Sequence, residues 1–258
     1  MDLGLRDRVY IVTGGSRGLG RAAAEALVAE GARVVVSSRD EESVSRAATD
    51  MGGPHHAVGL VADNGDPSAA GRLVAAAIAQ FGRVDGALVS VGGPPAGTVD
   101  SLEDEDWRDA FESVFLGALR VARAVSEAVT EARPQDGASI ALVLSSSVRS
   151  PIPGLAASNG LRPGLAMLAK TLADEWGPKG IRVNGLLPGR IATDRAREID
   201  EATGDPEAAR QRITATIPLG RYGDPAEFGR VAAFVLSPAA SYVSGAMVAV
   251  DGGQLRTI

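Results

Sequence analysis

Val9-Tyr10-Ile11-Val12-Thr13-Gly14-Gly15-Ser16-Arg17-Gly18-Leu19-Gly20 is the stretch whose reading decides the fold. Its first five residues are β-branched or aromatic and read as a buried strand ended by Gly14-Gly15. From Leu19 onward the apolar residues Leu19, Ala22, Ala23, Ala26 and Leu27 recur at the spacing of one buried helix face, and Gly31 closes that helix. A strand, a glycine turn and a helix in this order form an anion site. The glycines let the backbone approach a pyrophosphate, and the helix N-terminus offers unpaired N–H groups with a partial positive charge. Thr13, Gly14, Ser16, Arg17, Gly18, Leu19 and Gly20 are therefore candidate ligands of a dinucleotide.

Outward from this turn the chain keeps alternating. Strands are expected at Arg33–Ser37, Ala57–Ala62, Gly86–Val89, Ile140–Leu144, Ile181–Leu187 and Ala246–Val250. Helices are expected at Asp40–Met51, Asp66–Phe81, about Leu102–Glu131, after Ser158, and at Asp224–Leu236. Phe111, Phe115, Ala118, Ala122 and Val125 share one side of the long helix, and Leu161, Leu165, Leu168, Leu172 and Trp176 form the stripe of the next. Strands alternating with helices imply right-handed crossovers and a doubly wound parallel sheet, a Rossmann fold. No linker divides residues 1–258, so one domain is expected. The polar, weakly periodic stretch at about 191–216 reads as a mobile lid on the substrate side, with an ordinary surface helix pair as the plain alternative.

The end of the second strand chooses the dinucleotide. An acidic residue there binds a ribose 2′-hydroxyl and repels a 2′-phosphate. The chain instead has Ser38-Arg39, with Asp40 one residue later at the helix cap, and Arg17 is near enough in the turn to share a phosphate. This reads as NADP(H) rather than NAD(H).

Composition excludes other classes. The chain has no cysteine, so thiolate chemistry and Cys-based metal sites are absent, and its two histidines, His55 and His56, are adjacent and read as a solvated pair, with no metal. The net charge is −6 with the signs interspersed, which argues against a nucleic-acid surface. No stretch approaches the ~18 apolar residues of a membrane span, and no signal-like segment opens the sequence, so the expected location is cytoplasmic.

Nearly the whole chain resembles the short-chain dehydrogenase/reductase family. The resemblance rests on Thr13–Gly20, Asp63-Asn64, Asn184 to Thr193, Arg221 to Glu227 and Val250-Asp251-Gly252-Gly253. It implies a seven-stranded parallel sheet and an oligomer, often a tetramer, built on the two long central helices and the last strand. It places Asp63 and Asn64 at the adenine, Gly92 after the fourth strand against the cofactor, and Pro188, Gly189, Ile191 and Thr193 around the nicotinamide and phosphates.

The family's catalytic Asn, Ser, Tyr and Lys are mostly replaced. Registered on Lys170-Thr171-Leu172-Ala173, the Tyr position holds Ser158 and the Lys position Arg162; registered on Trp107 and Gly117, the Asn position holds Val114. A Ser remains within Ser145-Ser146-Ser147. Fixed spacing selects Ser145, whereas placement before a Val at the strand end selects Ser147, the one we favour. Ser158-Asn159 with Arg162 resembles a divergent branch of the family with Ser-Asn and Arg in place of Tyr and Lys. Serine is a far weaker acid than phenol, whose pKa is ~10, and arginine does not serve as a tunable base. Neither the three tyrosines (Tyr10, Tyr222, Tyr242) nor Lys170 and Lys179 are placed to substitute. Two readings follow: an oxidoreductase of altered chemistry acting on a small carbonyl compound, of 3-oxoacyl or acidic type, or a dinucleotide-binding sensor or scaffold. The plain alternative for the pair itself is a helix N-cap at Ser158 and a surface arginine at Arg162.

Overall fold

Short apolar runs become the strands of one sheet, and the central ones, at 9–12, 86–89 and 138–143, are buried on both faces. The computed structural model describes residues 1–132 and 137–257. Among them lie β1 (Val9–Val12), β2 (Arg33–Ser38), β3 (Ala57–Val61), β4 (Gly86–Val89), β5 (Ala138–Val143), β6 (Ile181–Pro188) and β7 (Met247–Val250). They pair in parallel in the order β3-β2-β1-β4-β5-β6-β7. The chain moves outward from β1 to β3, then returns to lay β4 beside β1. That reversal opens a crevice at the carboxyl ends of β1 and β4, the topological switch point.

The period of two sorts side chains onto the two faces. Val9 and Ile11 of β1, with Ile140 and Leu142 of β5, pack under α3 (Ala69–Phe81), α5 (Gly117–Ala132) and α6 (Ala156–Trp176). Tyr10, Val12, Ala141 and Val143 pack under α1 (Gly18–Ala29), α2 (Glu41–Asp50) and α9 (Pro225–Leu236). The remaining helices are α4 (Asp104–Ala110), α7 (Asp194–Glu201) and α8 (Pro206–Thr214). Strand and helix ends fall within a few residues of those expected. Asp224 and Asp40 cap α9 and α2 from just outside, each accepting a backbone N–H.

Two differences have physical causes. The long helix is interrupted by a π-helical turn at Phe111–Leu116, which inserts a residue and shifts the phase of the apolar stripe. Phe111 therefore lies outside the stripe, 41% exposed and stacked on Phe115 at 5.1 Å. Helix α6 begins two residues before Ser158, with Leu155 at the cap position, so Ser158 lies inside the helix and is not its N-cap. Segment 191–216 contains the helix pair α7 and α8. No helix among the described residues is long and apolar enough to cross a membrane.

Helices α1 and α9 meet so closely that a Cβ on Gly229 would stand 2.3 Å from the Ala22 carbonyl oxygen. Overpacking of this kind costs about 1–3 kcal/mol, so Gly229→Ala is expected to lower Tm by roughly 3–10 °C with no change in the far-ultraviolet spectrum. An unchanged Tm in a thermal scan would show that the two helices can separate freely.

Candidate active site

The crevice floor is built around one hydroxyl. Thr13 is fully buried; its Oγ1 donates to the Ser90 carbonyl (2.8 Å) and accepts from the Ser90 N–H (2.9 Å) and the Asn64 amide (3.4 Å). The ends of β1 and β4 and the loop after β3 are thereby pinned together. Thr13 is thus committed to the floor. Gly14 turns above it at φ +58°, where a Cβ would stand 2.8 Å from the Ser90 carbonyl oxygen. Gly20 faces Gly14 so closely that a Cβ would fall 2.3 Å from its carbonyl oxygen. Arg17 precedes α1 in extended conformation with no side-chain cap, so no side chain occupies the N–H groups of the first turn. Ser16 is buried beside them. A turn of this shape, with open helix N–H groups, can receive a phosphate group.

At the end of β2 the Asp40 carboxylate is turned into the N-terminus of α2, where it accepts from the Ser43 N–H at 2.7 Å. Those Ser43 hydrogen bonds hold its carboxyl below the usual range. Ser38 bonds the Asp40 N–H and lies beside Ser43. Arg39 is exposed and makes no ion pair among the described residues. Asp63 is exposed and accepts from the Gly65 N–H, and Gly117 lets α5 approach the Asn64 carbonyl. Gly92 borders open space. Gly189 is wedged against Asp251, and the Ile191 side chain is buried against Gly223, whose backbone bridges the same segment. Pro188 ends β6, and Thr193 caps α7, its methyl 3.6 Å from where a Gly18 Cβ would be.

Ser147, Ser158 and Arg162 come together at the carboxyl end of β5. Ser147 sits in a 3₁₀ turn, Ser146–Val148, whose start is held by Ser145: the Ser145 Oγ accepts the Ser147 N–H at 3.0 Å. The Ser147 and Ser158 hydroxyls are 3.4 Å apart and both are buried. Ser147 is therefore the serine facing position 158, and Ser145 positions it. The loop between them is held from α6, since the Asn159 amide bonds both the N–H and the carbonyl of Ile152. Gly97 also pairs across to Gly154 and Ala156, fixing the start of α6. Val114, in the π-helical turn, is 1% exposed and offers no polar group.

Arg162, one turn after Ser158, is 5% exposed and so is not a surface arginine. One terminal nitrogen donates to the Val143 carbonyl, and its buried Nε has no partner among the described residues. Burial pushes its pKa down to about 10. Such an unsatisfied donor is rare in a settled core and marks a place where an acceptor belongs. No tyrosine reaches the pair. Tyr10 bonds the Leu236 carbonyl on another part of the sheet, and Tyr242 is fully exposed. Tyr222 donates to Asp200 at 3.0 Å, and burial, then that carboxylate, holds its phenol above the ordinary value. Lys170 is spent on the Gly245 carbonyl. Sequence reasoning missed the clamp of Thr13 on Ser90 and the contacts that Arg195, Glu198 and Asp200 of α7 make with distant segments. Each joins residues far apart in the chain, with no local signal.

Fold and cradle together define a dinucleotide-binding α/β protein, and comparison gives the family. A family model described as enoyl-(acyl carrier protein) reductase matches residues 14–254. The chain is 36% identical to an L-rhamnose 1-dehydrogenase (NAD(P)(+)) of Azotobacter vinelandii, covering 96% of this chain and 97% of that one. It is 31% identical to the 3-oxoacyl-[acyl-carrier-protein] reductase FabG of Salmonella typhimurium, at 96% and 97% coverage. The solved L-sorbose reductase of Gluconobacter frateurii, complexed with NADPH and L-sorbose, superposes over the full length of both chains with TM-score 0.91 at 28% identity. The chain belongs to the short-chain dehydrogenase/reductase family of oxidoreductases.

The Arg162 charge has a consequence for stability. A base whose folded pKa is lowered is penalised while both states are charged, and the penalty fades only as pH rises above about 10 toward the ordinary guanidinium value. At neutral pH the penalty is therefore fully present, on the order of 3 kcal/mol for a shift of this size. Arg162→Met is expected to raise the Tm of the ligand-free protein at pH 7 while weakening nucleotide binding. A Tm that falls by as much as an ordinary core truncation would mean that Arg162 is a structural tie.

Proposed function

We propose that the protein is an NADP(H)-dependent oxidoreductase that interconverts a carbonyl and an alcohol, with Ser147, Ser158 and Arg162 standing where the family uses Ser, Tyr and Lys. One observation carries this reading: a buried, under-bonded guanidinium lies one helical turn from a pair of buried hydroxyls, at the carboxyl end of the sheet beside the dinucleotide crevice. Names of similar proteins support the cofactor, since one is called NAD(P)-dependent and another was solved with NADPH.

The residues present fit the dinucleotide. The cradle of Gly14, Gly18 and Gly20 takes the pyrophosphate, Arg39 with Arg17 and Ser38 takes the 2′-phosphate, and Asp63 and Asn64 border the adenine. Gly92, Pro188, Gly189, Ile191 and Thr193 line the nicotinamide end. When bound, the cofactor supplies or accepts the hydride. Ser147 and Ser158 orient the substrate carbonyl and relay a proton from water across their 3.4 Å contact. Arg162 directs its free donor at the nicotinamide ribose or at an anion on the substrate, and stabilises developing negative charge in a site shut off from water. A fixed cation fits an acidic carbonyl compound; the sugar and 3-oxoacyl substrates named for relatives are the other classes to try. A homo-oligomer joined through the two long central helices and β7, located in the cytoplasm, completes the reading, and the exposed Met167 on α6 fits it.

The second reading, a dinucleotide-binding sensor or scaffold, is favoured by one fact: no phenol and no lysine reaches Ser158. Calorimetry with NADPH and NADH, then absorbance-monitored turnover on keto acids, 3-oxoacyl thioesters, sugars and neutral ketones, separates the two. Turnover on any class, lowered about 100-fold by Ser147→Ala or Ser158→Ala with nucleotide affinity kept, supports the enzyme. Tight NADPH binding without turnover across the panel supports the sensor. Arg39→Asp is expected to weaken NADPH binding by about tenfold or more, the worth of a charge-assisted phosphate contact, and to leave NADH unaffected. An equal loss for both nucleotides would remove Arg39 from the phosphate site.

A further inference from the structure

Helix α7 crosses the crevice between β1 and β4 and is tied to both walls. On the β4 side, Arg195 in its first turn donates to the Pro94 carbonyl at 3.3 Å and lies 3.5 Å from where a Gly93 Cβ would be. On the β1 side, the Arg17 guanidinium rises from the glycine loop to stand 4.0 Å from one Glu198 oxygen. Arg195 stands 3.5 Å from the other. Glu198 is thus one carboxylate shared by two cations that face each other over the place where a dinucleotide lies.

This arrangement sets two uses of Arg17 against each other. Its side chain is 71% exposed, reaches toward Glu198 on α7 and makes no other ion pair among the described residues. A 2′-phosphate at the end of β2 offers it more charge and more acceptor oxygens than a half-exposed carboxylate does. A nucleotide lacking that phosphate offers it nothing in place of Glu198.

We propose that Glu198 is a selectivity-determining residue for the dinucleotide: it competes with the 2′-phosphate for Arg17, so a phosphate-bearing cofactor must break the tie between the glycine loop and α7, whereas a phosphate-free one leaves it in place. The proposal rests on the reading of the crevice as an NADP(H) site. Its structural consequence is a coupling between cofactor and lid. Once Arg17 is drawn to phosphate, Arg195 has Glu198 to itself and its hold on the Pro94 carbonyl slackens.

The test is calorimetric titration of the full chain with NADPH and with NADH, for the wild type, Glu198→Gln, Arg17→Met and the double variant. Glu198→Gln is expected to tighten NADPH binding about three- to fivefold, the size of one partly exposed ion pair, and to leave NADH unchanged. In the Arg17→Met background the same substitution is expected to have no effect on either nucleotide. The proposal is overturned if Glu198→Gln leaves NADPH affinity unchanged or weakens it, if it alters both nucleotides equally, or if its effect persists without Arg17. A wild type that binds neither nucleotide fails the reading of the crevice itself, and the proposal falls with it. A wild type that binds NADPH beside an inert Glu198→Gln removes the competition alone.

Discussion

The Thr13 hydroxyl, bonded both ways to the Ser90 backbone, is the contact on which the site depends. A parallel sheet has no hairpin to lock neighbouring strands where the order reverses, so β1 and β4 meet only through ladder bonds and whatever joins their ends. Here a buried threonine joins them, and the Asn64 amide adds the loop after β3. The glycine turn then has a fixed base to rise from. Its backbone passes within a Cβ's width of Ser90 and of itself, so Gly14 and Gly20 cannot carry side chains there. A phosphate cradle of this kind is a property of backbone shape, and the shape is held from below by one side chain.

The second constraint is electrostatic. Placing a guanidinium under the end of β5 with one carbonyl for company costs stability, and nothing nearby among the described residues neutralises it. Folded proteins keep such a charge where a ligand completes its bonding. The neighbouring hydroxyls have the same character: they are buried, weakly bonded to each other and set on rigid elements, Ser147 by the Ser145 turn and Ser158 by α6. Preorganised donors without a strong acid describe a site that stabilises charge better than it delivers protons.

Helix α7 adds a third layer. Its far end is anchored by Asp200, which takes the Tyr222 hydroxyl and lies 3.8 Å from Arg190, with Arg210 over the tyrosine ring at 4.6 Å. Its near end rests on exposed ion pairs, each worth little alone. One end is firm and the other is lightly held, so the held end is the one a charged ligand is able to move.

Most of the fold was legible in the sequence because burial on both faces makes parallel strands continuous apolar runs, and because glycine turns and aspartate caps act within a few residues of where they are written. The strand, glycine turn and helix at residues 9–29, the Ser38-Arg39 pair at the end of β2 and Asp40 as a cap were readable without coordinates. The phase shift at Phe111 was not, because a π-helical turn comes from packing and carries no residue signature. Tertiary structure alone decided that Ser147 rather than Ser145 faces Ser158, that Arg162 is buried with a free donor, and that Arg17 meets Glu198 across the crevice. Each of these depends on the distance between segments far apart in the chain. Local sequence determines conformation within a few residues, whereas contact between segments is set by how the whole sheet and its helices pack.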